Sequence, residues 1–167
     1  MGRLGPGMLA AALVAGSGIG LLAAPAGAAG SPTVVTVAES PTWGKVLVLG
    51  NGRAVYRLTA DGRDKSVCFG ACAKVWPPVL LAAGQKKPTG HGVSGLGTIK
   101  RPGGARQVTF DGIPLYLYVG DHQAGQANGN VKDTWGQWWV VDPASPRTAP
   151  TAATSTATTA PGAGVAY

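Results

Sequence analysis

A chain of 167 residues with 27 glycines, 13 prolines and a formal charge of +7 has room for one folded domain of ordinary size between its two ends. Its basic residues are scattered, the tightest groups being Lys86-Lys87 and Lys100-Arg101, which excludes a nucleic-acid-binding arm. An exported chain of this charge suits anionic wall polymers or lipid headgroups, and solubility alone accounts for it equally.

In chain order, Met1 to Ala28 reads as a secretory signal: Arg3 is the positive start, Met8 to Ala24 the apolar run, and Ala26-Gly27-Ala28 the small cleavage site. The run is near the short end of the roughly 17–25 residues that span a bilayer, and its glycines weaken it as a helix. A cleaved signal with no transmembrane anchor in the mature chain is expected, giving a secreted, soluble protein.

Strand signals dominate the chain after Ala28. Thr33 to Val37 is Val/Thr-rich and ends before the turn signal Ser40-Pro41. Lys45 to Leu49 and Arg53 to Leu58 flank Asn51-Gly52, and Gln107 to Phe110 and Ile113 to Val119 flank Asp111-Gly112. Asn-Gly and Asp-Gly between extended runs predict hairpins, because both central residues of a type I′ turn need positive φ. Two-residue loops would set Leu47 opposite Tyr56, Leu49 opposite Ala54, Gln107 opposite Tyr116 and Thr109 opposite Pro114. Alternation then puts Val108, Phe110, Ile113, Leu115 and Leu117 on a core face, with Tyr116, Tyr118, Gln107 and Thr109 on the other. The first hairpin is apolar on both faces and is expected to be the more central.

These hairpins belong to a duplication. Gly44–Asp61 aligns without a gap on Gly104–Asp121, pairing Tyr56 with Tyr116 and Asp61 with Asp121. Gln137 to Val141 reads as a closing strand whose counterpart in the first half is Trp76-Pro77-Pro78-Val79, extended but unable to pair fully because proline lacks an N–H. Leu81 to Gly95 and His122 to Thr134 read as glycine-rich loops, and Gly70 to Val75 as a helical turn. The expected fold is all-β, a small sandwich or barrel of two duplicated hairpin-containing repeats, about 33–80 and 93–143, within a domain spanning 32–143. Residues 144–167, almost wholly Ala, Thr, Pro, Ser and Gly, hold too little bulky apolar surface to order themselves.

Few residues carry recognisable chemistry. Cys68 and Cys72 are the only cysteines, and in an exported chain they pair most simply as a disulfide. The alternative is a copper or redox site, with soft thiolates joined by His91 or His122. Tyr56, Asp61, Tyr116 and Asp121 form the recurring Tyr-x4-Asp motif, structural in one reading and a pseudo-symmetric ligand site in the other. Tyr118, Trp138 and Trp139 form a possible binding surface, since adjacent tryptophans on a strand point to opposite faces. No catalytic residue is assigned: nucleophile motifs are missing, and general acid–base work needs a placed partner that nothing here identifies.

The runs Ala54–Asp61, Cys68–Cys72 through Trp76-Pro77-Pro78, and Gln107–Asp121 together resemble an exported bacterial repeat and lipoprotein family marked by a Tyr-x-aromatic-x-x-Asp motif, the secreted repeats of unknown function. Leu58 replaces the motif's aromatic in the first repeat, and the lipid-accepting cysteine is absent. The resemblance implies class and compartment without supplying an activity, and the expected function is an exported binding or envelope-associated module, more a binding protein than an enzyme, without a cofactor. Its expected partner is a cell-wall polymer or envelope protein.

Overall fold

The Val/Thr-rich and alternating runs form strands in the computed structural model, which describes residues 1–2, 31–148 and 150. The expected signal segment beyond Gly2 and most of the expected tail lie outside the described residues. Nine strands are present among them: β1 Val34–Ser40, β2 Gly44–Leu49, β3 Tyr56–Leu58, β4 Thr89–His91, β5 Leu96–Lys100, β6 Arg106–Phe110, β7 Ile113–Pro114, β8 Lys132–Asp133 and β9 Gly136–Val140. One short helix, α1 Ala71–Val75, occupies the expected helical turn. The strands form three three-stranded sheets, β2-β1-β4, β3-β9-β8 and β5-β6-β7, which do not close into a barrel.

Several boundaries differ from those expected. β1 runs to Ser40, so the turn begins at Pro41, where the Trp43 amide donates to Ser40 Oγ at 3.2 Å. Two of the segments read as loops contain strands. β4 lies parallel to β1, pairing Val34 with Thr89, and β8 pairs with β9.

The two hairpin turns differ in a way that shifts register. Asp111 and Gly112 both have positive φ, 49° and 74°, and Thr109 faces Pro114 across the two-residue loop expected of a type I′ turn. At the first turn only Gly52 is positive, at 79°. The Gly52 amide donates to Leu49 O at 2.8 Å and the Leu49 amide to Arg53 O at 2.9 Å, enclosing a three-residue loop, Gly50-Asn51-Gly52. Val48 therefore pairs with Ala54, and the expected partners Leu47–Tyr56 and Leu49–Ala54 are each wrong by one residue. A one-residue slip exchanges faces along a strand. Val46, Val48, Ala54, Tyr56 and Leu58 accordingly pack in one core, while Leu47 and Val55 pack in another.

Neither hairpin stays closed beyond its turn, because each is opened by a strand from the other repeat. In the first, the Leu47 amide donates to Val141 O, Val141 to Val55 O and Val55 to Leu47 O, at 2.8, 3.0 and 3.1 Å. In the second, Val108 donates to Val79 O, Val79 to Leu115 O and Leu115 to Val108 O, at 2.8, 2.9 and 3.0 Å. The repeats thus exchange strands: the closing strand of the second enters the first hairpin, and Trp76–Leu80 enters the second. The structural equivalent of Val108 is Leu47, one residue out of the ungapped alignment, because the first loop holds one residue more. The expected pair Gln107–Tyr116 is absent because the inserted strand separates its members: Gln107 bridges to Leu80, and Tyr116 bridges to Pro78 and Tyr56. Pro77 takes part as an acceptor, receiving the Leu117 amide at 2.8 Å.

All six residues of the two hydrogen-bonded rings lie in one aliphatic core with Val35 and Phe110. The opposite face is aromatic, built on Tyr56, Trp76, Tyr116 and Trp138. Both hairpins are consequently buried on both faces, and Gln107 and Thr109, expected on an outer face, are buried too. Gln107 is tolerated there because its Nε2 donates to Leu115 O at 2.8 Å and its Oε1 accepts from Arg101 Nη1 at 2.6 Å.

Candidate functional site

The strand exchange brings the two motif tyrosines together at the join between repeats. Their backbones pair directly, the Tyr56 amide donating to Tyr116 O at 2.8 Å and the Tyr116 amide to Tyr56 O at 2.9 Å. Each phenol then reaches the aspartate of the other repeat. Tyr56 Oη donates to Asp121 Oδ2 at 2.5 Å, and Tyr116 Oη donates to Asp61 Oδ2 at 2.6 Å. Both tyrosine side chains are fully buried. The second oxygen of each aspartate closes its own loop: Asp61 Oδ1 accepts the Val67 amide at 2.8 Å, and Asp121 Oδ1 the Asn128 amide at 3.0 Å. These are charge-assisted bonds in a low-dielectric setting, which makes them stronger than exposed ones.

The surroundings repeat the same plan with local differences. Tyr56 Oη accepts the Gly129 amide at 3.1 Å, an approach open only to glycine, since a Cβ there would lie 2.7 Å from the Tyr56 ring. Tyr116 Oη instead accepts from Ser66 Oγ at 2.7 Å. Trp76 and Trp138 are the structural equivalents of one another and stack with centroids 3.9 Å apart and planes at 6°. Tyr56 packs edge-on to Trp76 and Tyr116 edge-on to Trp138, at 5.6 and 5.2 Å. The indole N–H of Trp76 donates to Asp133 Oδ2 at 2.8 Å, whereas that of Trp138 has no partner.

Burial dominates the electrostatics. Both phenols are held far above the ordinary tyrosine range, first by burial and then by the aspartate each one meets. Burial also raises the Asp61 carboxyl, against the opposing pull of the Tyr116 hydroxyl, the Val67 amide and the Arg101 cation. Such phenols stay neutral at any physiological pH, and every oxygen of the motif carboxylates already has a partner. The arrangement is built to hold two segments together and offers no group poised for proton transfer or nucleophilic attack.

Cys68 and Cys72 are joined in a disulfide with Cα atoms 5.2 Å apart, so neither sulfur is left as a thiolate ligand. His91 and His122 are both exposed, and no group of three or more His, Cys, Asp or Glu among the described residues is arranged to hold a metal ion. Of the three residues read as a binding surface, Trp138 belongs to the core instead, being fully buried against Trp76. Trp139, on the other face of β9, is half-buried, as is Tyr118, which stacks on Trp76 at 4.4 Å.

Sequence reasoning passed over Arg101, a residue at the end of β5 that ties the disulfide loop to the sheet. Its guanidinium donates to Ser66 Oγ at 3.1 Å, Gln107 Oε1 at 2.6 Å and Cys68 O at 2.7 Å, and lies 4.5 Å from the centre of the Phe69 ring. The pair Lys100-Arg101 gave no hint of this, since a basic pair more often reads as solvated surface. The loop itself stays accessible, with Val67 and Phe69 exposed between exposed Arg63, Lys65 and Lys74.

A family model described as "Secreted repeat of unknown function" matches residues 37–80 and 97–142, together more than half of the chain. No curated protein matches the chain, and no solved structure does.

Proposed function

Because the chain belongs to this family of secreted repeats of unknown function, we propose that it is an exported, non-enzymatic binding module of the bacterial envelope. The observation that carries the proposal is the saturation of the Tyr–Asp motif: its four side chains are spent on one another and on backbone amides, leaving the recognition work to the surface. On that surface the disulfide loop combines two exposed apolar side chains, Val67 and Phe69, with the cations Arg63, Lys65 and Lys74. Asp64 offsets part of that charge, lying 3.9 Å from Arg63. An exposed apolar tip flanked along the chain by exposed cations complements an anionic wall polymer. Holding copper would need the sulfurs free as thiolates, and they are bonded to each other.

Retention of the mature domain on isolated envelope, or on an anionic wall polymer set against a neutral one, tests this proposal. Retention at low salt is expected to fall as salt rises and to weaken several-fold in Phe69→Ala and Lys65→Gln/Lys74→Gln. Retention that ignores both salt and these substitutions would remove the disulfide loop as the contact surface. A thiol count tests the alternative: free, metal-titratable thiols in protein purified under oxidising conditions would revive the copper role.

A further inference from the structure

Arg57 is the one charged residue of β3, and it is held almost wholly inside the protein, 6% exposed. Its neighbours Tyr56 and Leu58 fill the aromatic core, so Arg57 projects from the opposite face, in register with Trp139 of β9. One of its N–H groups is satisfied by Thr148 O, 2.6 Å from Nη2, while Nε has no partner. No carboxylate pairs with it: the single ion pair among the described residues joins Arg63 to Asp64 on the surface. A second cation, Arg147, adds to burial in lowering the proton affinity of Arg57. Arg147 is exposed and spends one donor on Asp111 O at 2.9 Å.

A buried guanidinium beside another cation, with no carboxylate at ion-pairing distance, is a costly arrangement for a protein to keep. The two arginines line a common cavity of about 140 Å³, together with Thr59, Gly62 and Asp61. With about 30 Å³ per water in the liquid, that space suits one tetrahedral oxyanion and a little water. Asp61 is the only carboxylate on the wall, and both its oxygens are engaged, by Tyr116 Oη at 2.6 Å and the Val67 amide at 2.8 Å. Two guanidinium side chains thus line the space against one carboxylate, and their forked N–H geometry matches an oxyanion.

We propose that the Arg57–Arg147 cavity is a binding site for a small oxyanion of phosphate or sulfate size. It shares no residue with the disulfide-loop surface, so the two readings stand or fall separately. The site also gives a role to the chain beyond Pro143, expected to be tail: Arg147 completes its wall, and Thr148 O holds its principal side chain.

Isothermal titration of the whole mature chain with inorganic phosphate, at constant ionic strength and with sulfate and chloride in parallel, tests the site. Saturable one-to-one binding of phosphate or sulfate is expected, with chloride much weaker. Arg147→Gln should weaken it by about tenfold or more, as for a lost charge-assisted hydrogen bond, with the near-UV circular dichroism unchanged. Arg57→Gln should abolish it if that variant folds, and Lys132→Gln, on exposed β8, should leave it as it is. The proposal is overturned by absence of saturable binding, by chloride binding as well as the oxyanions, or by an Arg147→Gln affinity equal to that of the parent. A matching loss in Lys132→Gln would also overturn it, since the effect would then be one of net charge.

Discussion

At Tyr56 and Tyr116 a neutral phenol is held against a carboxylate inside an aromatic core, so each hydroxyl has two separable consequences. The first is a hydrogen bond to a charged acceptor. Tyr116→Phe leaves Asp61 Oδ2 without its donor, and a loss of about 1–3 kcal/mol is expected in chemical denaturation, with Tyr56→Phe at least as costly because Asp121 is more deeply buried. The second is a dependence on alkaline pH. Each folded phenol titrates above its ordinary value of 10.0, so the unfolded chain releases its protons first as pH rises. Stability is full below pH 10 and falls above it, by about 1.4 kcal/mol per pH unit for each tyrosine. Denaturation midpoints collected between pH 9 and 11.5 should show that slope, reduced by half in either Tyr→Phe variant. A profile flat to pH 11.5 would mean that the phenols are not buried as described. The recurrence of Tyr and Asp at the same place in both halves was legible in the sequence. The crossing of the pairs was not, since Tyr56 meets Asp121 and Tyr116 meets Asp61 across separations of 65 and 55 residues, and nothing local marks such a partner.

Between elements, the turns decide which side chains enter which core. Asp111-Gly112 was legible because both residues adopt the positive φ that the dipeptide favours. Asn51-Gly52 misled because Gly50 allows a loop one residue longer, with only Gly52 left-handed, and that extra residue moved every partner by one. Gly52→Ala should be expensive for two reasons: its φ of 79° strains an L-residue, and its Cβ would lie 2.7 Å from that of Ala124. A loss of about 1–3 kcal/mol is expected, against a few tenths for Asn51→Ala, whose φ is ordinary. Equal costs at the two positions would contradict the three-residue loop. The inserted strands were half legible. Trp76–Val79 and Gln137–Val141 read as extended and as counterparts, yet the proline-rich one was not expected to pair fully. It pairs through the carbonyls of Pro77 and Val79 and the one amide, at Val79, that faces the opened hairpin. The disulfide beside it closes a loop only four residues apart, so reduction should cost about 2 kcal/mol or less and leave the fold intact. Complete unfolding on reduction would show that Arg101 alone cannot hold that loop.

Across the whole molecule, the duplication acts as an interlock. Each repeat lends a strand to the other's hairpin and an aspartate to the other's tyrosine, and the two tryptophans stack where the halves meet. Neither half holds its own hydrophobic faces covered, which is why one cooperative unit is expected where the sequence shows two similar ones. The sequence made the all-β class legible, because glycine-rich turns and alternating strands are local features. The anion cavity was invisible: Arg57 looks like an ordinary charge inside a strand until the chain near Thr148 folds over it. The interlock is tested most directly by double-mutant cycles combining Tyr56→Phe or Tyr116→Phe with Asp61→Asn or Asp121→Asn, read by denaturant unfolding. Coupling of about 1–3 kcal/mol is predicted for the crossed pairs Tyr56–Asp121 and Tyr116–Asp61, and near zero for Tyr56–Asp61 and Tyr116–Asp121. Coupling that followed the sequence motif, each tyrosine with the aspartate of its own repeat, would contradict the exchange between halves.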